Sequence, residues 1–172
     1  MWIKSIHEIR SENLIESGIR GVILDLDNTL IHWGFKLQSE TVTEELASAR
    51  SWICSLTSAG LKVCIVSNNA PARVKALADI MGVPALAKAG KPRRRAFLKA
   101  LDLMCTGTAD TICIGDQVFT DVFGANRIGL RTILVAPLTK REFIGTRILR
   151  IFEFLVLCLL RQRGWIKLSS FR

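Results

Sequence analysis

The chain has 172 residues, 49% of them hydrophobic and 23% charged, with a formal net charge of +9 at pH 7. That length and balance give one domain with a substantial core and exclude an intrinsically disordered chain. The positive charge favours anionic partners, whether nucleic acid, acidic membrane or phosphorylated substrate, without choosing among them.

Met1 to Arg10 interleaves charged with apolar residues and lacks the uninterrupted apolar core of a signal peptide. An organelle-targeting leader is neither required nor excluded by so short a stretch. The segment up to Arg20 is expected to form a short helix around Leu14 and Ile15, ended by Gly18. The run Gly21-Val22-Ile23-Leu24 reads as a strand buried on both faces. It ends in Asp25-Leu26-Asp27, two carboxylates one residue apart, and Asn28 and Thr29 suit the chain's exit. Ile31 to Lys36 is a loop or small flap, in which His32 reads as a surface histidine rather than a substrate contact. His7 carries no functional argument.

Thr41 to Ala59 has helical spacing through Leu46, Ala49, Trp52, Ile53 and Leu56, with Gly60 as the stop. Leu61 to Val66 is the next buried strand, ending at Ser67-Asn68-Asn69. Pro71 opens a helix whose inner face is Val74, Leu77, Ala78 and Met81. A short strand at Ala85 to Ala87 leads to Lys91-Pro92, and Arg93 to Met104 is helical. Thr111 to Ile114 is a strand ending at Gly115-Asp116, Val118 to Arg127 a helix, and Leu130 to Val135 the last strand. Alternating strands and helices imply a doubly wound parallel α/β sheet, Rossmann-like, with helices on both faces.

Five cysteines, Cys54, Cys64, Cys105, Cys113 and Cys158, contain no CxxC pair and none adjoins a histidine. Disulfide-framework and thiolate-metal readings both fail on spacing, and a reducing compartment fits. Beyond Thr146, an apolar run from Phe154 to Leu160 is flanked by Arg147, Arg150, Arg161, Arg163 and Lys167. It is too short to span a bilayer. A helix there would suit a membrane interface, docking on the core, or a dimer contact.

Open α/β sheets bind ligands outside the carboxyl ends of their strands, which places Asp25 and Asp27 at the active edge. Two neighbouring carboxylates repel unless a cation or a shared proton relieves them. The stretch Asp25-Leu26-Asp27-Asn28-Thr29-Leu30 resembles motif I of the haloacid dehalogenase (HAD) superfamily. Three further stretches resemble its remaining motifs in order: Ser67 for motif II, Lys91 for motif III, and Gly115-Asp116 through Asp121 for motif IV. Each of these residues taken singly has a plainer reading as a turn, a solvated lysine or a helix cap. Four in the right order, each just after an expected strand, do not.

The resemblance implies a role for each matching residue. Asp25 is the implied nucleophile, forming an aspartyl-phosphate, and Asp27 the general acid/base. Ser67 and Asn68 are the implied phosphate contacts, and Lys91 a point charge offsetting the nucleophile and phosphate. Mg2+ is the implied cofactor, held by Asp25, the backbone carbonyl of Asp27, and Asp116. Thr29 and Asp121 are supporting residues, Asp121 either bracing the metal shell or orienting Lys91.

The wording around these motifs is similar to the YqeG-type, subclass IIIA phosphatases, over roughly residues 3 to 142. That group includes the organellar phosphatidylglycerophosphate phosphatases. The connections between Asp27 and Ser67, and between Ser67 and Lys91, leave no room for a cap domain. An open site suits bulky substrates. The expected organisation is one HAD-like domain over 1–172, with an N-terminal helix in 1–20, a catalytic core in 21–142 and a basic, apolar tail in 143–172. The resemblance implies a phosphorylated substrate, an anionic phospholipid being the leading choice. It also implies a cytoplasmic location or one on the inner face of a membrane, with an organelle as the variant. The Arg93-Arg94-Arg95 triplet beside Lys91 either guides an anionic substrate or is a solvated helix face. Two alternatives stand beside the lipid reading: a soluble phosphatase of nucleotides, sugar phosphates or nucleic-acid ends, and an RNA- or ribosome-binding protein on the same fold.

Overall fold

The computed structural model describes residues 1–35 and 43–139. The expected helix start at Thr41, the tail helix and Cys158 lie outside the described residues.

Among the described residues, six parallel strands form one sheet in the order β1-β6-β5-β2-β3-β4. They are β1 (Trp2–Ile3), β2 (Gly21–Leu24), β3 (Lys62–Val66), β4 (Ala85–Leu86), β5 (Thr111–Gly115) and β6 (Arg131–Val135). The helices are α1 (Ser11–Glu16), α2 (Glu44–Ser58), α3 (Pro71–Met81), α4 (Arg94–Met104) and the short α5 (Gly124–Asn126). This is the expected doubly wound α/β architecture.

The apolar run of β2 is divided between two cores because successive side chains point to opposite faces. Val22 and Leu24 join Val63, Ile65, Ile112 and Ile114 beneath α2 and α3. Ile23 joins Cys64, Val66 and Cys113 against Phe97 and Leu101 of α4. The expected inner face of α3 is buried as read: Val74, Leu77, Ala78 and Met81. Gly82, at φ +70, closes that helix in the left-handed conformation. Thr43 caps α2, its hydroxyl accepting from the Leu46 backbone N–H at 3.4 Å, and Glu44 and Glu45 complement the helix dipole.

Two elements depart from expectation. The N-terminal segment is not one helix. Trp2–Ile3 adds an edge strand beside β6, a 3-10 turn follows at Ile6–Glu8, and only Ser11–Glu16 is α-helical. Ile3, Ile6, Ile9 and Leu14 are all buried, so the segment is part of the core, and the Trp52 indole donates to the Ile9 carbonyl at 3.0 Å. The stretch after Asp116 begins as a π-helical turn, Val118–Phe123, before the α-helical Gly124–Asn126. The Gln117 carbonyl accepts from both Asp121 N at 3.0 Å and Val122 N at 3.3 Å, which widens the turn.

Cys64 and Cys113 are buried, and burial pushes the Cys64 thiol up to about 12. Both act as core hydrophobes.

Candidate active site

The central strand β2 has β3 on one side and β5 on the other, and the chain winds outward in both directions. That is the switch point where open α/β sheets form a ligand crevice. Asp25 and Asp27 leave β2 there, Ser67 leaves β3, Lys91 follows β4, and Asp116 and Asp121 follow β5. A cavity of about 360 Å3 opens at this edge, lined by Asp25, Asp27, Ser67, Asn68, Lys91 and others. The residues singled out from sequence therefore converge.

Lys91 lies at the centre of the cluster. It is 7% exposed, and its ammonium donates to Asp25 Oδ1 at 2.5 Å and to Asp121 Oδ1 at 2.6 Å. Burial disfavours its charge, but Asp121 and Asp25 together more than offset that and hold its pKa above the ordinary lysine value. Its backbone is fixed as well. Asn68 Oδ1 accepts from Lys91 N at 2.8 Å, and Asn68 Nδ2 donates to the Lys91 carbonyl at 3.1 Å. Both polar ends of the Asn68 side chain are thus turned to Lys91.

Asp25 is pushed up to about 6. Burial is the largest cause, Lys91 opposes it, and repulsion from Asp121 and Asp27 adds to it. The Thr29 hydroxyl donates to Asp25 Oδ2 at 3.4 Å. Asp25, Asp116 and Asp121, all buried, each offer an oxygen within 4.8 Å of the others. Lys91 pairs with two of these three carboxylates, a formal balance of −3 + 1 = −2 over the four side chains. Clustered hard oxygens carrying that excess charge are a donor set that fits a divalent cation.

Asp121 is brought in by the widened turn. Its Oδ2 accepts from Gln117 N at 3.1 Å, leaving Oδ1 for Lys91. Gly115 makes room for it, since a Cβ at that position would lie 2.4 Å from Asp121 Cγ. Ser67 is 2% exposed, and its hydroxyl accepts from Asn69 N at 3.1 Å.

Asp27 is held by partners that were not singled out from sequence. Arg73 donates to Asp27 Oδ1 through Nη2 at 2.7 Å and Nε at 3.2 Å, and Asn69 Nδ2 donates to Oδ2 at 3.0 Å. Arg73 Nη1 donates to the Phe35 carbonyl. A cation in the first turn of α3, opposed to the helix dipole, was the available signal for Arg73. His32 is not among the cavity-lining residues. Its Nδ1 pairs with Glu45 at 2.5 Å, and Trp33 lines the cavity instead.

Asn28, between the two catalytic-motif acids and Thr29, adopts φ +62, a left-handed conformation that asparagine tolerates. Its side-chain oxygen accepts from Trp33 N and from the Thr139 hydroxyl, each at 3.1 Å. The Asn28 backbone carbonyl accepts from Leu138 N at 3.0 Å.

Known proteins share sequence and fold with this chain. Residues 88–137 match the family model described as HAD-hydrolase-like. The chain is 38% identical over 166 residues to the "Probable phosphatase YqeG" of Bacillus subtilis (strain 168), covering 96% of this chain and 92% of that protein. It is 29% identical over 153 residues to the chloroplastic/mitochondrial phosphatidylglycerophosphate phosphatase 1 of Arabidopsis thaliana, covering 81% of this chain and 41% of the relative. The fold is similar to a HAD phosphatase from Thermococcus onnurineus, with a TM-score of 0.52 at 14% identity over 73% of this chain and 90% of that one. With the motifs converged at one sheet edge and the near-full-length match to YqeG, the chain belongs to the HAD superfamily, in its group of YqeG-type phosphatases.

Proposed function

We propose that the protein is a Mg2+-dependent phosphomonoester hydrolase that works through an aspartyl-phosphate on Asp25, with phosphatidylglycerophosphate as substrate. The carrying observation is the buried Asp25–Lys91–Asp121 chain of ion pairs beside Asp116 at the mouth of the sheet.

Asp25, Asp116 and the backbone carbonyl of Asp27 would hold Mg2+. When bound, it neutralises the carboxylate excess and polarises the phosphoryl oxygens. Lys91 keeps Asp25 anionic and oriented, so its carboxylate can attack phosphorus in line. The P–O bond to the leaving group breaks as the Asp25–phosphorus bond forms. Asp27, at the rim and within the same cavity, would give its proton to the departing alkoxide. In the second half, Asp27 takes a proton from the attacking water, replacing the one that left with the alcohol. The water oxygen bonds to phosphorus, releasing phosphate and regenerating the Asp25 carboxylate. The Ser67 hydroxyl, 2% exposed on the floor of the cavity, would donate to the transferring phosphoryl group.

Support for the lipid is of a different kind. It rests on the likeness to the Arabidopsis phosphatase, on the net charge of +9, and on a cavity that opens directly at the sheet edge. Among the described residues no helix is long and apolar enough to cross a membrane. Contact with a lipid surface would therefore be peripheral in this part of the chain.

The test is phosphate release from phosphatidylglycerophosphate micelles, with and without Mg2+, beside p-nitrophenyl phosphate and with Asp25→Asn as control. Lipid turnover that needs Mg2+ and is lost in the variant supports both mechanism and substrate. Turnover of the aryl ester alone keeps the chemistry and removes the lipid.

A further inference from the structure

A second cavity, of about 340 Å3, lies beside the first. Lys88, Gly90, Arg93, Arg95 and Lys99 line it, together with apolar residues and no carboxylate. Its rim is the segment leading into Lys91, so one stretch of chain walls both cavities: residues 88–90 face the second and Lys91 the first. That segment is pinned to the Ser67 loop, Lys88 N donating to the Asn69 carbonyl and Ala89 N to the Ser67 carbonyl, each at 3.0 Å. Lys88 is held at φ +45, a conformation that L-residues seldom adopt.

Four cations around one concavity make an electropositive site that an anion would neutralise. Arg73 and the α4 arginines make a comparison within the same chain. Arg73, also in the first turn of a helix, is paired with Asp27. Arg93 and Arg95 have no ion pair among the described residues, nor do Lys88 and Lys99. Arg94 lines neither cavity, so the triplet does not act as a unit.

We infer that this cavity is an anion subsite for a second phosphate group on the same substrate molecule, the first being the monoester attacked by Asp25. The inference rests on the phosphatase reading and assigns recognition of the second phosphate of the proposed substrate to Lys88, Arg93, Arg95 and Lys99. Lys88 and Lys91 are three residues apart, a reach of at most about 10 Å. Two phosphates on a short polyol linker match that scale. A phosphodiester next to a phosphomonoester has this form.

The test compares wild type with Arg93→Gln/Arg95→Gln/Lys99→Gln on two water-soluble substrates. One is glycerol 3-phosphate, with a single phosphate. The other is the deacylated headgroup of phosphatidylglycerophosphate, with a diester and a monoester. All three side chains are exposed, so the fold should survive, and thermal melting verifies this. The expected result is a tenfold or greater fall in the ratio of kcat/KM for the two-phosphate over the one-phosphate substrate, carried by KM rather than kcat. An unchanged ratio overturns the subsite, as does a wild type that hydrolyses only the one-phosphate ester. A third arm presents the lipid substrate in vesicles of phosphatidylcholine or of phosphatidylglycerol. A defect seen only on phosphatidylglycerol vesicles, and absent with the soluble headgroup, assigns the cations to neighbouring lipid and overturns the inference. Loss of p-nitrophenyl phosphate hydrolysis in wild type would instead strike the phosphatase reading itself.

Discussion

Arg73 grips Asp27 with two nitrogens on a single oxygen, Nη2 at 2.7 Å and Nε at 3.2 Å, while its third nitrogen holds the Phe35 carbonyl. Both partners are largely buried, with side chains 23% and 15% exposed. The guanidinium therefore ties the candidate acid/base to the flap that follows β2. A planar fork can do this, whereas a lysine ammonium offers only a point charge.

Removing that fork should misplace Asp27 without touching Asp25. A poor leaving group such as an alkoxide needs the proton that Asp27 is proposed to supply, and nitrophenolate departs without it. Arg73→Ala is expected to slow alkyl phosphate hydrolysis roughly 100-fold, within the usual range for general acid catalysis, and p-nitrophenyl phosphate far less. Arg73→Lys should fall between. Equal losses on both esters would reduce Arg73 to a structural part.

The pH dependence of stability offers a second check, centred on Asp25. Its folded pKa of about 6 lies above the ordinary value of 3.8, so the native state binds the proton more tightly than the unfolded chain does. Its contribution to stability is therefore greatest below about pH 4 and is lost as pH rises through about 6. Without metal, wild type should be less stable than Asp25→Asn at pH 7, by on the order of 3 kcal/mol. The difference should shrink towards pH 4, and added Mg2+ should shrink it at pH 7 too. Melting curves of the two proteins that stay parallel across that range would contradict the assignment.

Gly115→Ala tests the packing that seats Asp121. The new methyl would sit 2.4 Å from both Cγ and Oδ2 of Asp121, inside contact distance. Since Asp121 is 1% exposed, it has nowhere to move without releasing Lys91. Overpacking of this kind costs about 1–3 kcal/mol, and hydrolysis should fall by more than the stability loss explains. A variant with wild-type kcat would show that the Asp121–Lys91 contact is dispensable.

Much of the site was legible because each strand ends where an apolar run meets polar residues: Leu24 to Asp25, Val66 to Ser67, Gly115 to Asp116. A parallel sheet then places those ends at one edge whatever their separation in sequence. Contacts between side chains were not legible. Asn68 spends both polar groups on the Lys91 backbone, a pairing across 23 residues that no local pattern encodes. Arg73 reaches Asp27 across 46 residues. The strand Trp2–Ile3 is too short to have a period, and is defined by its pairing with Leu134 and Val135. The π-helical turn is equally invisible, because its apolar spacing over six residues does not differ usefully from that of an α-helix.

The bonds from Leu138 and Thr139 to Asn28 fix where the polypeptide departs from the described core. It leaves one residue away from Asp27, at the lip of the catalytic cavity, rather than from the far side of the sheet. The exit is thereby moored to the cavity wall, because Asn28 lines the cavity next to Asp27. Tension on this exit would reach Asn28 through those two hydrogen bonds and β6 through the four residues that follow Val135.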